Sequence, residues 1–373
     1  MSKPKTAGLA NVSAGTSAIC TVGKEGKGLN YRGYSIEDLA TNAGFEEVAY
    51  LLIYGRLPNA VKLNHYQNNL INLRTFPNEL NGILELLPKS THPMDVLRTG
   101  VSALGCLEPE ENFEQQYDIA DRLLSLLPGM LLYWYHFHFN SKRINTESME
   151  TTLAGHFLRL LKGQNPDELE KKVLDVSLTL YAEHEFNAST FAARVAASTL
   201  SDFYSTITSA IGTLRGPLHG GANEAAMELI KSFSSIDDVE IDLQKKLDNK
   251  EKIMGFGHRV YSESDPRNDI IKQWSEKLSK TSSEQQLFPI SQAIEKFMWN
   301  KKKLFPNLDF YSASAYNFMN IPVALYTPIF VCSRITGWAA HVFEQRENNA
   351  LIRPSSDYNG PEPRKLIPLD QRK

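Results

Sequence analysis

Apolar residues recur three and four positions apart along most of the chain, as in Ile36-Leu39, Val48-Leu51-Leu52, Leu70-Leu73 and Ile83-Leu86-Leu87. That spacing is one face of an α-helix. Pro58, Pro77, Pro88 and Pro93 punctuate the pattern, each ending one helix or opening the next. Ser35, with Asp38 three residues on, is expected to cap the first helix. The pattern predicts helices over 168–185 and 188–213, two more within 268–303 around a polar Ser-Ser-Glu-Gln-Gln segment, and helix again over 312–350, with new segments starting at Pro322 and Pro328. Polar stretches at 106–118 and 140–150 predict connections, 232–245 a loop and short helix, and the last twenty residues an extended tail. Leu123 to Phe139 is the longest apolar run; Pro128-Gly129 inside it predicts two buried helical segments, and it is shorter than the ~20 residues of a membrane span.

Only Ile19-Val22 and Leu29-Tyr31, either side of the glycine-rich Gly23–Gly28 turn, read as strands, a small N-terminal β-hairpin. No strand–helix alternation or long-period repeat is present, which excludes a doubly wound sheet and a solenoid. The expected class is all-α, one large helical body with a smaller one.

Composition narrows the function. The chain has 373 residues, 42% hydrophobic and 22% charged, with net charge −3. This is ordinary for a soluble protein and offers no basic field for nucleic acid. The start, Met-Ser-Lys-Pro-Lys, lacks a following apolar segment, so no secretory signal is read there. Cys20, Cys106 and Cys332 are too sparse for a disulfide framework or zinc site and fit a reducing cytoplasm.

Familiar catalytic motifs fail. No Gly-x-Ser-x-Gly occurs, and His184-Glu185 meets Ala188 where a zinc protease needs a second histidine. Gly255-Phe-Gly257 lacks the third glycine of a dinucleotide fingerprint. What remains is His184, His219, His258, Asp309, Arg267, Arg334 and Arg353. Several arginines suit a small polycarboxylate, because a guanidinium matches a carboxylate bidentately. Histidines and an aspartate add proton transfer near neutral pH. Each also has a plain structural role open to it: Asp309 a helix cap, Arg334 half of an ion pair, Asp265-Pro266 a turn, His219 a packed turn residue. Asn223 is expected to cap the helix after His219, and Gly220-Gly221 to let a ligand or a second backbone approach the imidazole.

Taken together, Gly216-Pro-Leu-His-Gly-Gly-Ala-Asn223, Gly255-Phe-Gly-His-Arg-Val-Tyr261 with Asp265-Pro-Arg267, and Asn307-Leu-Asp-Phe-Tyr311 resemble the three signature segments of the citrate synthase family. The likeness runs from Tyr31-Arg-Gly-Tyr34 to Arg353-Pro354. Asp95 to Cys106, Leu131 to His136, Thr336 to His341 with Glu344-Gln-Arg346, and Asn359 to Glu362 look most like its bacterial 2-methylcitrate synthase branch. Arg259 and Phe310-Tyr311 look more like ordinary bacterial citrate synthases.

The resemblance implies condensation of propionyl-CoA, and also acetyl-CoA, with oxaloacetate and water. Asp309 would take the α-proton, His219 would hold the thioester oxygen, and His258 would polarise the ketone. His184, Arg267, Arg334 and Arg353 would hold oxaloacetate, Arg353 reaching in from the second subunit of a homodimer. Glu251, Lys252, Ile253, Met254, Gly255, Phe256 and Gly257 would cradle CoA. No metal or redox cofactor is implied. A small domain at 222–320 would close between large-domain segments 1–221 and 321–373. The alternatives are a citrate synthase acting mainly on acetyl-CoA and, outside enzymes, an inactive all-α scaffold or regulatory homologue.

Overall fold

The computed structural model describes residues 12–23 and 28–372. The first residues read above for a signal, and the middle of the glycine-rich turn, lie outside them. The all-α expectation holds. Strands β1 (Cys20–Val22), β2 (Leu29–Tyr31) and β3 (Tyr34–Ser35) form a small antiparallel sheet, one strand more than the expected hairpin, with Cys20 opposite Tyr31 and Asn30 opposite Ser35. Sixteen α-helices follow among the described residues. The first eight are α1 (Ile36–Asn42), α2 (Phe45–Tyr54), α3 (Ala60–Asn72), α4 (Asn78–Leu86), α5 (Pro93–Leu107), α6 (Gln116–Asn140), α7 (Leu153–Lys162) and α8 (Glu168–Tyr181). The rest are α9 (Ala188–Ser198), α10 (Phe203–Leu214), α11 (Ala222–Lys231), α12 (Ile236–Asp248), α13 (Pro266–Ser279), α14 (Leu287–Lys302), α15 (Leu308–Phe318) and α16 (Tyr326–Glu347).

Helix α16 is the spine. From Tyr326 to Phe343 only Phe330 escapes full burial, and a helix apolar on every face must be surrounded. It packs on α2, α6, α8, α9 and α10. Helices α11 to α15 pack largely on one another, with α13 and α15 also reaching α8. None of the described helices is long and apolar enough to cross a membrane.

Four local expectations are corrected. Leu123 to Phe139 belongs to one helix, α6, with Pro128 inside it. Proline removes one backbone hydrogen bond, but residues 123–134 are buried throughout, and that packing holds the helix together. Residues 188–213 are two helices. Leu200 turns left-handed at φ 65°, and Asp202 accepts the amide of Ser205 to cap α10. The polar stretch 106–118 is only partly a connection: α5 runs to Leu107 and α6 begins at Gln116. Finally, Asn223 is not the cap of α11. Gly221 is, at φ 79°, a backbone conformation that favours glycine.

Candidate active site

Three helix starts position the expected residues. Asn187 caps α9, Asp265 caps α13 and Asn307 caps α15, each side chain accepting an amide two or three residues on. Asp309 is therefore not a cap. It sits in the first turn of α15, and its Oδ1 accepts the hydroxyl of Tyr181 at 2.6 Å. The start of α15 is tied to the 251–257 loop: the Asn307 amide donates to Gly255 O at 2.9 Å, Gly257 N to Phe305 O at 2.8 Å, and Asn307 Nδ2 to Gly257 O at 3.0 Å. Gly255 is at φ 87°, and a Cβ there would stand 3.0 Å from Phe310. Glycine is required for this loop to lie against α15.

His184, His258 and Tyr261 form a triangle. The His184 and His258 rings are 5.0 Å apart, those of His258 and Tyr261 4.5 Å, and the Tyr261 hydroxyl is 3.1 Å from His184 Nε2. Arg267 is buried, its Nε and Nη2 donating to the two oxygens of Asp265 at 2.9 and 2.8 Å. Asp265 Oδ2 also accepts the amide of Leu308, so the Arg267 pair and the Asp309 turn are locked to one carboxylate. Arg334, buried in α16, donates Nε to Tyr181 O at 2.7 Å and lies 4.5 Å from the Phe330 ring. It has no carboxylate within ion-pair distance among the described residues, so the ion-pair alternative does not hold. Phe330 in turn faces Tyr181 at 4.6 Å and His219 at 6.4 Å.

Backbone donors decide two tautomers. An amide N–H can only donate. His219 Nε2 lies 3.2 Å from the Ser189 amide and 2.8 Å from the Ser189 hydroxyl; the hydroxyl can take either role, the amide only donates, and Nε2 accepting from it leaves the proton on Nδ1. His258 Nδ1 accepts from Val260 N and Tyr261 N at 3.1 and 3.3 Å, which leaves the proton on Nε2. Both rings are thus neutral donors. Burial, with Arg334 nearby, pulls His219 down to about 4. Burial and Arg267 pull His258 down to about 4, Asp265 opposing. Burial, Arg267 and His258 hold His184 well below its ordinary range. Asp309 moves the other way: burial raises it, against the Tyr181 hydrogen bond and Arg267, which strengthens it as a base.

The His219 shift has a stability consequence. Between its ordinary 6.5 and about 4 the unfolded chain binds a proton that the folded chain does not. Its contribution is intact above that window and is lost as pH falls through it. The melting temperature of wild type is expected to fall more across the window than that of His219→Gln; equal falls would remove His219 from the acid response.

The structure brings together six of the seven expected residues. Arg353 is exposed on the extended segment after α16 and makes no hydrogen bond with the others. Of residues 251–257, Glu251 and Lys252 are exposed, and Glu251 faces Lys246 at 3.2 Å. At Gly220 the close approach is by backbone: a Cβ there would meet Leu214 O at 2.3 Å and Thr327 at 2.9 Å, so Gly220 makes room for the chain itself. Tyr181 on Asp309 and Ser189 on His219 were not anticipated. Both lie beside quoted motif residues, but no spacing rule pairs them. Among the described residues, no group of three or more His, Cys, Asp or Glu could hold a metal.

Imidazoles, a carboxylate raised by burial and buried guanidinium groups gathered in an all-α fold are chemically suited to proton transfer on a substrate held by its carboxylates. The family model for the citrate synthase C-terminal domain matches residues 8–355. The chain is 58% identical to the 2-methylcitrate synthase of Shewanella oneidensis over 98% of each chain. It is 42% identical to citrate synthase 2 of Bacillus subtilis over 98% of this chain and 99% of the other. The citrate synthase of Thermoplasma acidophilum, solved as a ternary complex with carboxymethyl coenzyme A and oxaloacetate, superposes with TM-score 0.90 at 34% identity, covering 97% of this chain and 98% of the other. The protein belongs to the citrate synthase family and is a condensing acyltransferase.

Proposed function

We propose that the protein condenses propionyl-CoA with oxaloacetate and water to give 2-methylcitrate and CoA, and that it also accepts acetyl-CoA. The observation that carries this is the 58% identity, end to end, with a 2-methylcitrate synthase. In the mechanism, Asp309 removes the α-proton of the acyl thioester. His219 donates Nδ1–H to the thioester oxygen as enol charge develops there, a preorganised donor in a water-poor cleft. His258 donates Nε2–H to the oxaloacetate ketone, whose carbon the enol attacks, and water then releases CoA. The neutral tautomers and the raised Asp309 support these assignments, since a weak carbon acid needs base, oxyanion donor and electrophile at once.

His184, Arg267 and Arg334 hold oxaloacetate, completed by Arg353 of the partner subunit in a homodimer. The exposed Leu351, Tyr358, Leu366 and Leu369 of the C-terminal segment support a second copy beneath it. Residues 251–257 hold CoA, chiefly through backbone at Gly255 and Gly257. Residues 222–320 act as the small domain, closing on residues 1–221 and 321–373 to exclude water.

Arg259 and Phe310-Tyr311 favour a second reading, citrate synthesis mainly from acetyl-CoA. Thiol release with oxaloacetate and each acyl-CoA separates the two. The expected result is a higher kcat/KM for propionyl-CoA, with the two substrates within roughly 10–200-fold, the discrimination one methylene supports. A preference for acetyl-CoA selects the second reading, and no thiol release with either overturns both.

A further inference from the structure

The turn between α8 and α9 carries His184 into the cleft, but its neighbour Glu183 points the opposite way, into α16. Glu183 and His341 are fully buried. His341 Nε2 lies 2.9 Å from Glu183 Oε1, and Arg194 Nε donates to His341 Nδ1 at 2.9 Å. An arginine Nε–H has no acceptor role, so Nδ1 accepts, Nε2 bears the proton, and His341 is a neutral bridge that donates to Glu183. Arg194 is anchored in turn. It donates to Gln345 Oε1 at 3.1 Å and pairs with Glu344, which accepts the amide of Ala18.

The close fit has a steric basis. A Cβ on Gly337 would stand 2.1 Å from Glu183 Oε2 and 2.5 Å from Ala182 O, so only glycine admits this carboxylate against α16. The turn itself is unfavourable by local rules: Glu185 is left-handed at φ 53°. Such a backbone persists only where its surroundings hold it. Arg267, Arg334 and His258 on the cleft side all bear on His184, and the relay bears on the same turn from behind.

We infer that Glu183, His341 and Arg194 are positioning residues that clamp the His184 turn to α16 and so set the affinity for oxaloacetate. The inference rests on the reading of the cleft as an oxaloacetate site. His341 lies far along the chain from Glu183 and Arg194, and none of the three makes a hydrogen bond to His219, His258, Asp309, Arg267 or Arg334.

The geometry makes the test specific. In His341→Gln the amide nitrogen falls near Nε2 and still donates to Glu183. In His341→Asn the amide oxygen falls near Nδ1, serving Arg194 but not reaching Glu183. Oxaloacetate binding by calorimetry, KM and kcat are measured for both, alongside Glu183→Gln. His341→Asn is expected to raise the oxaloacetate KM and Kd roughly 10–100-fold, the effect of a small misplacement of a binding group, with a smaller change in kcat and none in the acyl-CoA KM. His341→Gln is expected to recover most of the loss. Glu183→Gln, which keeps an acceptor for His341 and removes only charge, is expected to fall between them. Equal oxaloacetate affinities in His341→Asn, His341→Gln and wild type, with matching melts, overturn the relay. If His341→Asn does not fold, Glu183→Ala, which removes the acceptor for His341 altogether, overturns it equally by keeping the wild-type oxaloacetate KM. Failure of wild type to bind oxaloacetate at all instead overturns the site reading.

Discussion

Asp309→Asn is expected to lower kcat by roughly 10²–10⁴-fold, the usual worth of a positioned base. The substitution is chosen to leave everything else in place. Asparagine has the size of aspartate, and its amide oxygen can still accept the Tyr181 hydroxyl that sits 2.6 Å from Oδ1. The cap of α15 comes from Asn307, so the helix start does not depend on the carboxylate. What disappears is the lone pair that takes the α-proton. The raised pKa of Asp309, driven by burial over the opposing Tyr181 bond, means wild type brings a stronger base than an exposed carboxylate would be. Steady-state thiol release with both substrates saturating, together with oxaloacetate binding, is the check. The expected pattern is a collapsed kcat with binding near wild type. A kcat close to wild type would remove Asp309 from proton abstraction, and weakened oxaloacetate binding would make it part of the clamp.

Much of this architecture is legible in the chain because the helices carry their own signals. The period of three and four, the prolines, and the cap at Ser35 are local, and the helices formed where those signals lie. The helix signals fail where another local demand outweighs them. Pro128 was read as a break, yet α6 runs through it, because burial from Leu123 to Trp134 outweighs one lost hydrogen bond. Asn223 has the right chemistry for a cap, but the sharp turn after His219 needs a positive φ, and Gly221 supplies it.

The site was legible as a list, not as an arrangement. His184, His219, His258, Asp309, Arg267 and Arg334 stand out by residue type and by the motifs around them, and Arg334 also as a charge inside an apolar run. Nothing local says that Tyr181 meets Asp309, since that contact spans α8 and α15. The tautomers of His219 and His258 are likewise set by the amides of Ser189, Val260 and Tyr261, which have no signature in residue type. Arg353 marks the other limit. Its residue type and setting mark it like the others, but within one chain it is exposed and stands apart from them.

Arg334→Met separates affinity from stability. Arg334 is buried, spends Nε on Tyr181 O at 2.7 Å, and has no carboxylate at ion-pair distance among the described residues. Burial lowers its pKa, and the more distant Glu183 only partly offsets this. A buried cation without a close partner is costly, so the free protein bears that cost, and the terminal nitrogens are left for a ligand carboxylate. Methionine fills similar volume without charge. Removing the charge relieves the free protein, while losing the Tyr181 bond offsets that gain, and the melting temperature without ligand is expected to stay near wild type. Oxaloacetate affinity is expected to fall by about 1.5–3 kcal/mol, the range for hydrogen bonds to charged groups, or roughly 10–150-fold in KM. The same loss appears as a thermal shift. Ligand at 100 times the wild-type Kd stabilises wild type by about 2.7 kcal/mol, and the same concentration stabilises a variant bound roughly 10–150-fold more weakly by only about 1.4 to 0.3 kcal/mol, so the thermal shift of Arg334→Met is expected to be half that of wild type or less. An equal shift in both proteins would take Arg334 out of the clamp and make its burial a matter of packing alone.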